Sequence, residues 1–285
     1  MMQVKTGKLK NMMRLLALLA AVLLTVPGCG AGCGSKKMSG IENAPKTTSK
    51  GDNSASIGTF QKISVKSDVS FDYYLYTPAT GENLPIVITF HGYGEDVGLP
   101  DTRILNTLSS AESQAVRPCY IIAPAIDDSI YLSRTSRDGL YDSLMRTADD
   151  LIASEKIDPG RIYAMGNSFG GLGTVEFAER FPDRTAAAIV MCPALTYDKR
   201  STKELARIKD VPLWFAQATN DNVIPIETSR SAVRTLDALG ASEVHLTEFT
   251  DNEMLAADAL AGYHQADFAV MADERFLEWM FDQSR

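Results

Sequence analysis

The chain has 285 residues, enough for one large α/β domain with a sizeable core or for two small ones. Its 45% apolar and 22% charged residues are ordinary for a globular protein. A formal charge of −8, with no Lys/Arg-rich patch beyond the extreme N-terminus, argues against a nucleic-acid partner.

The N-terminus reads as a separate object. Lys5, Lys8, Lys10 and Arg14 form a basic start without an acid, an apolar stretch runs from Leu15 to Val26, and PGCGAGCGS follows. That order describes a secretory signal over residues 1–28. A stretch of twelve residues, apolar but for Thr25, is short for a transmembrane anchor, which needs ~20. V-P-G-C resembles the lipobox of bacterial lipoproteins, which implies cleavage before Cys29, lipid on its sulfur and attachment to a membrane; Cys33 is the weaker alternative. The expected location is the outer face of the cytoplasmic membrane, or outside the cell. Residues 29–58, rich in Ser, Lys, Gly, Asn and Thr, cannot bury a core and read as a flexible tether.

From residue 59 to 285 the pattern is that of one folded domain. QKISVKSD and FDYYLYTP alternate apolar and polar positions, as two antiparallel strands do. LPIVITFHG, CYIIAPA, RIYAMG, AAAIVMC, VPLWFAQA and, less strongly, EVHLTEF are near-continuous apolar runs, as expected of strands covered on both faces. Helical spacing lies between them: Leu144, Ala148, Leu151 and Ile152 in 141–155, Val175, Phe177, Ala178 and Phe181 after residue 168, then SRSAVRTLDALG and DERFLEWMF. KIDPGR reads as the breaker that ends the first helix. The alternation predicts an α/β fold: a mostly parallel twisted sheet, helices on both faces, and an antiparallel strand pair at its start. Ligands of such sheets bind at the carboxyl ends of the strands.

Four strand ends carry candidate chemistry. RIYAMG runs into G-N-S-F-G, a G-x-S-x-G pattern in a strand–turn–helix context, which makes Ser168 a candidate nucleophile and the Phe169 amide a candidate oxyanion donor. A serine hydroxyl needs a base. The chain has three histidines. His91 precedes the serine and His245 lies within a strand, which leaves His264, after the last strand. The acid should lie between Ser168 and His264. Asp221, in TNDNVIP after VPLWFAQA, is favoured over Asp251. The second oxyanion donor should come from HGYGED after the third strand: the Tyr93 N–H first, Gly92 next, with His91 supporting the loop. Cys119 and Cys192 read as small buried hydrophobes rather than a disulfide. The four cysteines have no metal-ligand spacing, and neither a metal nor another cofactor is expected.

Together these residues resemble the α/β-hydrolase superfamily, and more narrowly its secreted esterases and predicted peptidases, including phospholipase/carboxylesterase-like and polyhydroxybutyrate-depolymerase-like proteins. The similarity covers residues 60 to 285 through HGYGED, DPGRIYAMGNSFGG, FAQATNDNVIP and GYHQADF with FLEWMF, in that order. It implies Ser168, Asp221 and His264 as a triad with the Tyr93 and Phe169 amides as oxyanion donors. Ala218-Thr219 stand where many relatives have His-Gly, Phe268 where many have Trp, and 250–264 is longer than the usual connection. The expected activity is hydrolysis of a carboxylic ester through an acyl-enzyme, with short-chain or carbohydrate-linked esters as substrates. A peptidase or acyltransferase of the same chemistry, or a non-catalytic module on the same fold, are the alternatives. Segments 126–140 and 250–264 are expected to border the pocket.

Overall fold

The computed structural model describes residues 58–67, 69–79, 81–94, 102–154, 157–198 and 202–285. The signal, lipobox and tether readings, Cys29 included, lie outside them, apart from Gly58 at the tether's end.

Eight strands form one sheet: β1 (Thr59–Val65), β2 (Phe71–Thr77), β3 (Leu84–Phe90), β4 (Tyr120–Ala125), β5 (Ile157–Asn167), β6 (Thr185–Met191), β7 (Leu213–Ala218) and β8 (Val244–Phe249), in the spatial order β1-β2-β4-β3-β5-β6-β7-β8. β1 pairs antiparallel with β2, and β2 antiparallel with β4; every other pairing is parallel. This is the mostly parallel sheet with an antiparallel edge that the sequence predicts. β3, β5 and β6 lie in its middle, and Ile86, Val87, Ile88, Ile162, Ala187 and Ile189 are fully buried there. Strands covered on both faces keep no polar alternation. β1, at the edge, mixes exposed polar residues with half-buried Phe60, Ile63 and Val65 instead.

The main helices are α1 (Arg103–Leu108), α2 (Ala111–Val116), α3 (Asp128–Tyr131), α4 (Arg134–Ser154) and α5 (Phe169–Arg180); beyond β7 come α6 (Glu227–Ala238), α7 (Asp251–Ala256), α8 (Ala266–Ala272) and α9 (Glu274–Asp282). One apolar layer sets β2, β3 and β5 against α4 and α5, and the other sets the opposite sheet face against α1, α8 and α9.

Two local expectations change. KIDPGR does not merely end a helix, because β5 already begins at Ile157. Leu84 pairs with Ile157 and Ile86 with Ile162, so the intervening residues bulge out of the ladder, which is where a strand tolerates proline. Asp158 closes the bulge by accepting from the Gly160 amide at 2.9 Å and the Arg161 Nε at 2.7 Å. The helix expected over 141–155 begins earlier: segment 126–140 contains α3 and the first turns of α4, a helix of 21 residues from Arg134 to Ser154. Segment 250–264 begins with α7, whose N-terminus Thr250 and Glu253 close as a capping box.

Candidate active site

β5 delivers Ser168 to the carboxyl edge of the sheet, and α5 begins at the next residue. Ser168 has φ 62° and ψ −117°, a conformation that L-residues rarely adopt. Main-chain bonds hold it there: its amide donates to Met191 O at 3.0 Å, and its carbonyl accepts from Leu172 N at 3.1 Å and Ala194 N at 3.0 Å. Its side chain makes no capping bond to its own helix, and the residue is half-buried. The glycines on either side are a steric requirement. A Cβ at Gly166 would meet Phe90 O at 2.5 Å, and one at Gly170 would meet it at 2.0 Å. The Phe169 amide belongs to the first turn of α5, where the helix supplies no acceptor and its dipole favours negative charge.

The structure joins Asp221 to His264. Imidazole Nδ1 and carboxylate Oδ2 are 2.7 Å apart. Oδ1 accepts from the Val223 and Ile224 amides, both at 2.9 Å, and Oδ2 also accepts from Gln217 Nε2 at 3.0 Å. Burial works against the carboxylate's charge, but the bonds from His264, Ile224 and Val223 hold its pKa below 3.8. An ionised Oδ2 accepts, so Nδ1 carries the proton and Nε2 presents its lone pair. Among the described residues, His264 Nε2 is the one fully enclosed side-chain polar atom without a hydrogen-bond partner. Burial disfavours the imidazolium; Cys192 and Asp221 act the other way, and the pKa stands above 6.5. The Cys192 thiol is itself pushed upward by burial and is neutral at pH 7, so the upward pull there comes from Asp221.

Asp251 takes no part in this pair; its carboxylate accepts from Asn220 Nδ2 at 3.3 Å. His245 lies exposed on β8 against Trp214 and Trp279, with Nε2 3.1 Å from Glu243. The His264 loop is fastened to the rest of the site. Asn222 N donates to Gly262 O at 3.2 Å, and Asn167 Nδ2, beside Ser168, donates to His264 O at 3.4 Å.

His91 is buried behind β3. The Ile126 amide donates to its Nε2 at 2.8 Å, so the proton sits on Nδ1 and is given to Gly92 O at 2.7 Å. The Tyr131 hydroxyl donates to His91 O. A trans peptide points its N–H opposite its carbonyl. Fixing the carbonyls of His91 and Gly92 therefore fixes the directions of the Gly92 and Tyr93 N–H groups. The Tyr93 ring lies 5.3 Å from that of Phe169, which Tyr131 and Tyr197 flank at 5.6 and 5.0 Å.

Several contributors went unread in the sequence. Tyr131 has no signal in SIYLS. Behind it, Arg137 on α4 donates to Tyr131 O at 2.6 Å and forks onto Glu176 of α5 at 2.7 and 3.0 Å, all buried. This network ties the helix that follows Ser168 to the helix that holds the His91 loop. Gln217, a lone amide in the apolar run of β7, was the readable one: it bonds Asp221, Ile224 O and the Ser229 hydroxyl. Cys192 is buried and free, as expected, and shares an apolar cluster with Cys119, but it also makes a polar contact at the site. It follows β6 with φ 32°, and its thiol donates to Asn167 Oδ1 at 2.8 Å beneath Ser168.

No protein-family model matches the chain, and no curated protein matches it by sequence. Solved structures do. A thermostable esterase is 27% identical with a TM-score of 0.69, over 79% of this chain and 63% of that one. An acylaminoacyl peptidase from Pyrococcus horikoshii is 17% identical with a TM-score of 0.58, over 79% of this chain and 41% of that one. An S-formylglutathione hydrolase from Staphylococcus aureus is 16% identical with a TM-score of 0.58, over 79% of this chain and 97% of that one. The chain thus spans less than two thirds of the first two.

Proposed function

The chain is an α/β-hydrolase by fold, and from that premise we propose that it is a serine esterase cleaving carboxylic esters through Ser168, His264 and Asp221. The observation that carries the reading is the Asp221–His264 bond of 2.7 Å, which leaves Nε2 without a hydrogen-bond partner, in a chain whose Ser168 stands on a strained elbow at the end of β5. Ser168 Oγ attacks the ester carbonyl while its proton passes to His264 Nε2. The tetrahedral oxyanion takes hydrogen bonds from the Phe169 and Tyr93 amides, aided by the N-terminus of α5. His264 returns the proton to the departing alcohol, leaving an acyl-serine. Water, losing its proton to His264, then releases the acid and restores Ser168.

Tyr93 and Tyr197 are half-exposed beside this centre and offer aromatic faces. Such faces suit the C–H surface of a sugar ring or a short acyl chain, in keeping with short-chain or carbohydrate-linked esters. The likeness to a thermostable esterase supports the same class. We also propose that residues 1–28 are removed and Cys29 is lipidated, holding the hydrolase at a membrane surface; mass spectrometry of the mature N-terminus tests this, and an unmodified Cys29 refutes it. The activity is tested by hydrolysis of p-nitrophenyl acetate. Ser168→Ala should lower kcat by about four orders of magnitude or more. Equal rates in parent and variant would refute the assignment.

A further inference from the structure

We propose that Cys192 and His264 form a binding site for a soft divalent metal ion of the Zn²⁺ or Cd²⁺ kind, and that filling it switches the hydrolase off. The inhibition rests on the functional reading above; the binding does not.

The ligand atoms of Cys192, Asp221 and His264 lie within 4.8 Å of one another. Of these, the sulfur and the imidazole nitrogen are the donors, a pair that suits zinc and its soft neighbours, not Mg²⁺ or Ca²⁺, while Asp221 backs the imidazole. A second observation concerns the histidine. His264 has only a tenth of its side chain exposed, and its Nε2 is enclosed without a partner. Asp221 fixes the proton on Nδ1. A carboxylate behind an imidazole whose far nitrogen carries the lone pair is how proteins orient metal-binding histidines. The arrangement that readies Nε2 for a proton readies it equally for a cation.

Cys192 supplies the sulfur. It has a positive φ, its thiol lies against Asn167 Oδ1, and its sulfur is within 4.8 Å of the His264 ligand atom. On binding, the thiol proton leaves to solvent, the thiolate and Nε2 each donate an electron pair to the metal, and water fills the remaining positions. Asp221 stays in place behind the ring. The Asn167 amide, which now accepts from the thiol, would turn to present its NH₂ to the thiolate. Catalysis stops because the lone pair that would take the Ser168 proton is held by the metal. Occupancy rises with pH, since a proton is displaced.

Two readouts test this on the full chain. Cd²⁺ titration is followed by the ultraviolet thiolate–Cd²⁺ charge-transfer band, and ZnCl₂ titration by esterase rate, each variant scaled to its own metal-free rate. Cys29, Cys33 and Cys119 are common to all variants, so the band lost on substitution reports Cys192. Cys192→Ala and, keeping the sulfur, His264→Gln should each lose the high-affinity part of the band, and Cys192→Ala should raise the Zn²⁺ midpoint at least about tenfold. Circular dichroism establishes that the variants are folded. MgCl₂ should not inhibit. An unchanged band in both variants, an unchanged Zn²⁺ midpoint in Cys192→Ala, or a parent indifferent to Zn²⁺ overturns the proposal. A chain without esterase activity that still shows the Cys192-dependent band overturns the functional reading and leaves the metal site standing.

Discussion

Asp221→Asn separates the geometry of the site from its electrostatics. Asp221 accepts from two backbone amides through Oδ1 and from Gln217 and His264 through Oδ2. An asparagine that keeps its oxygen toward Val223 and Ile224 turns its NH₂ toward Gln217 Nε2 and His264 Nδ1. Gln217 retains its bond to Ile224 O, so the structural loss is one hydrogen bond, about 1 kcal/mol. For His264 the consequence is larger. Facing a donor, Nδ1 must become the acceptor, the proton moves to Nε2, and the base is lost. The opposite orientation faces NH₂ to two backbone donors and costs more. With the tautomer inverted, kcat should fall by about 10⁴, equivalent to about 5 kcal/mol of transition-state stabilisation, while Tm moves by only a few degrees. The charge also sets the pH profile. The base acts when neutral and Asp221 raises its pKa, so in the parent kcat/KM should rise with pH through a midpoint above 6.5. In the variant any residual activity should titrate at lower pH. Ester hydrolysis by stopped-flow or plate assay across the pH range, with thermal denaturation alongside, reads both. A variant within tenfold of the parent, with an unshifted limb, would refute the role given to Asp221.

Tyr131→Phe removes the hydroxyl that fixes the His91 carbonyl while leaving the ring on Phe169. It should lower kcat on the order of tenfold with little change in KM; a lower Tm with unchanged kcat would reduce Tyr131 to a packing role. Gly170→Ala places a methyl group 2.0 Å from Phe90 O, against backbone that cannot yield cheaply. It should destabilise the fold by roughly 1–3 kcal/mol in urea denaturation and impair hydrolysis through the displaced elbow; a variant as stable and active as the parent would refute the steric account.

The sheet was readable because its strands are buried on both faces and therefore apolar throughout, as in Ile86–Ile88 and Ala186–Val190. Their spatial order was not, since nothing local to LPIVITF states that it lies between CYIIAPA and RIYAMG. The start of α4 was hidden by its own chemistry: Arg137 occupies a buried position that would normally be apolar, and its charge is answered by Glu176, distant in sequence. Pro159 and Gly160 are usually breakers, yet a bulge with Asp158 as its clasp keeps them inside a strand. In the site, residue order at strand ends points to Ser168, Asp221 and His264 as candidates, and of these the structure brings Asp221 and His264 into contact. Tyr131 and Cys192 were not legible in this way. Their importance lies in what they touch, not in their neighbours along the chain.

The proposed mechanism stands or falls on Ser168 being a nucleophile activated by its surroundings. The direct measurement is labelling of the folded full chain with a fluorophosphonate, followed by mass spectrometry of the peptide that carries GNSFGG. The expected result is one adduct, on Ser168, formed in the parent, absent in Ser168→Ala and strongly slowed in His264→Gln. A folded, unlabelled parent, or labelling that persists in Ser168→Ala, would contradict it.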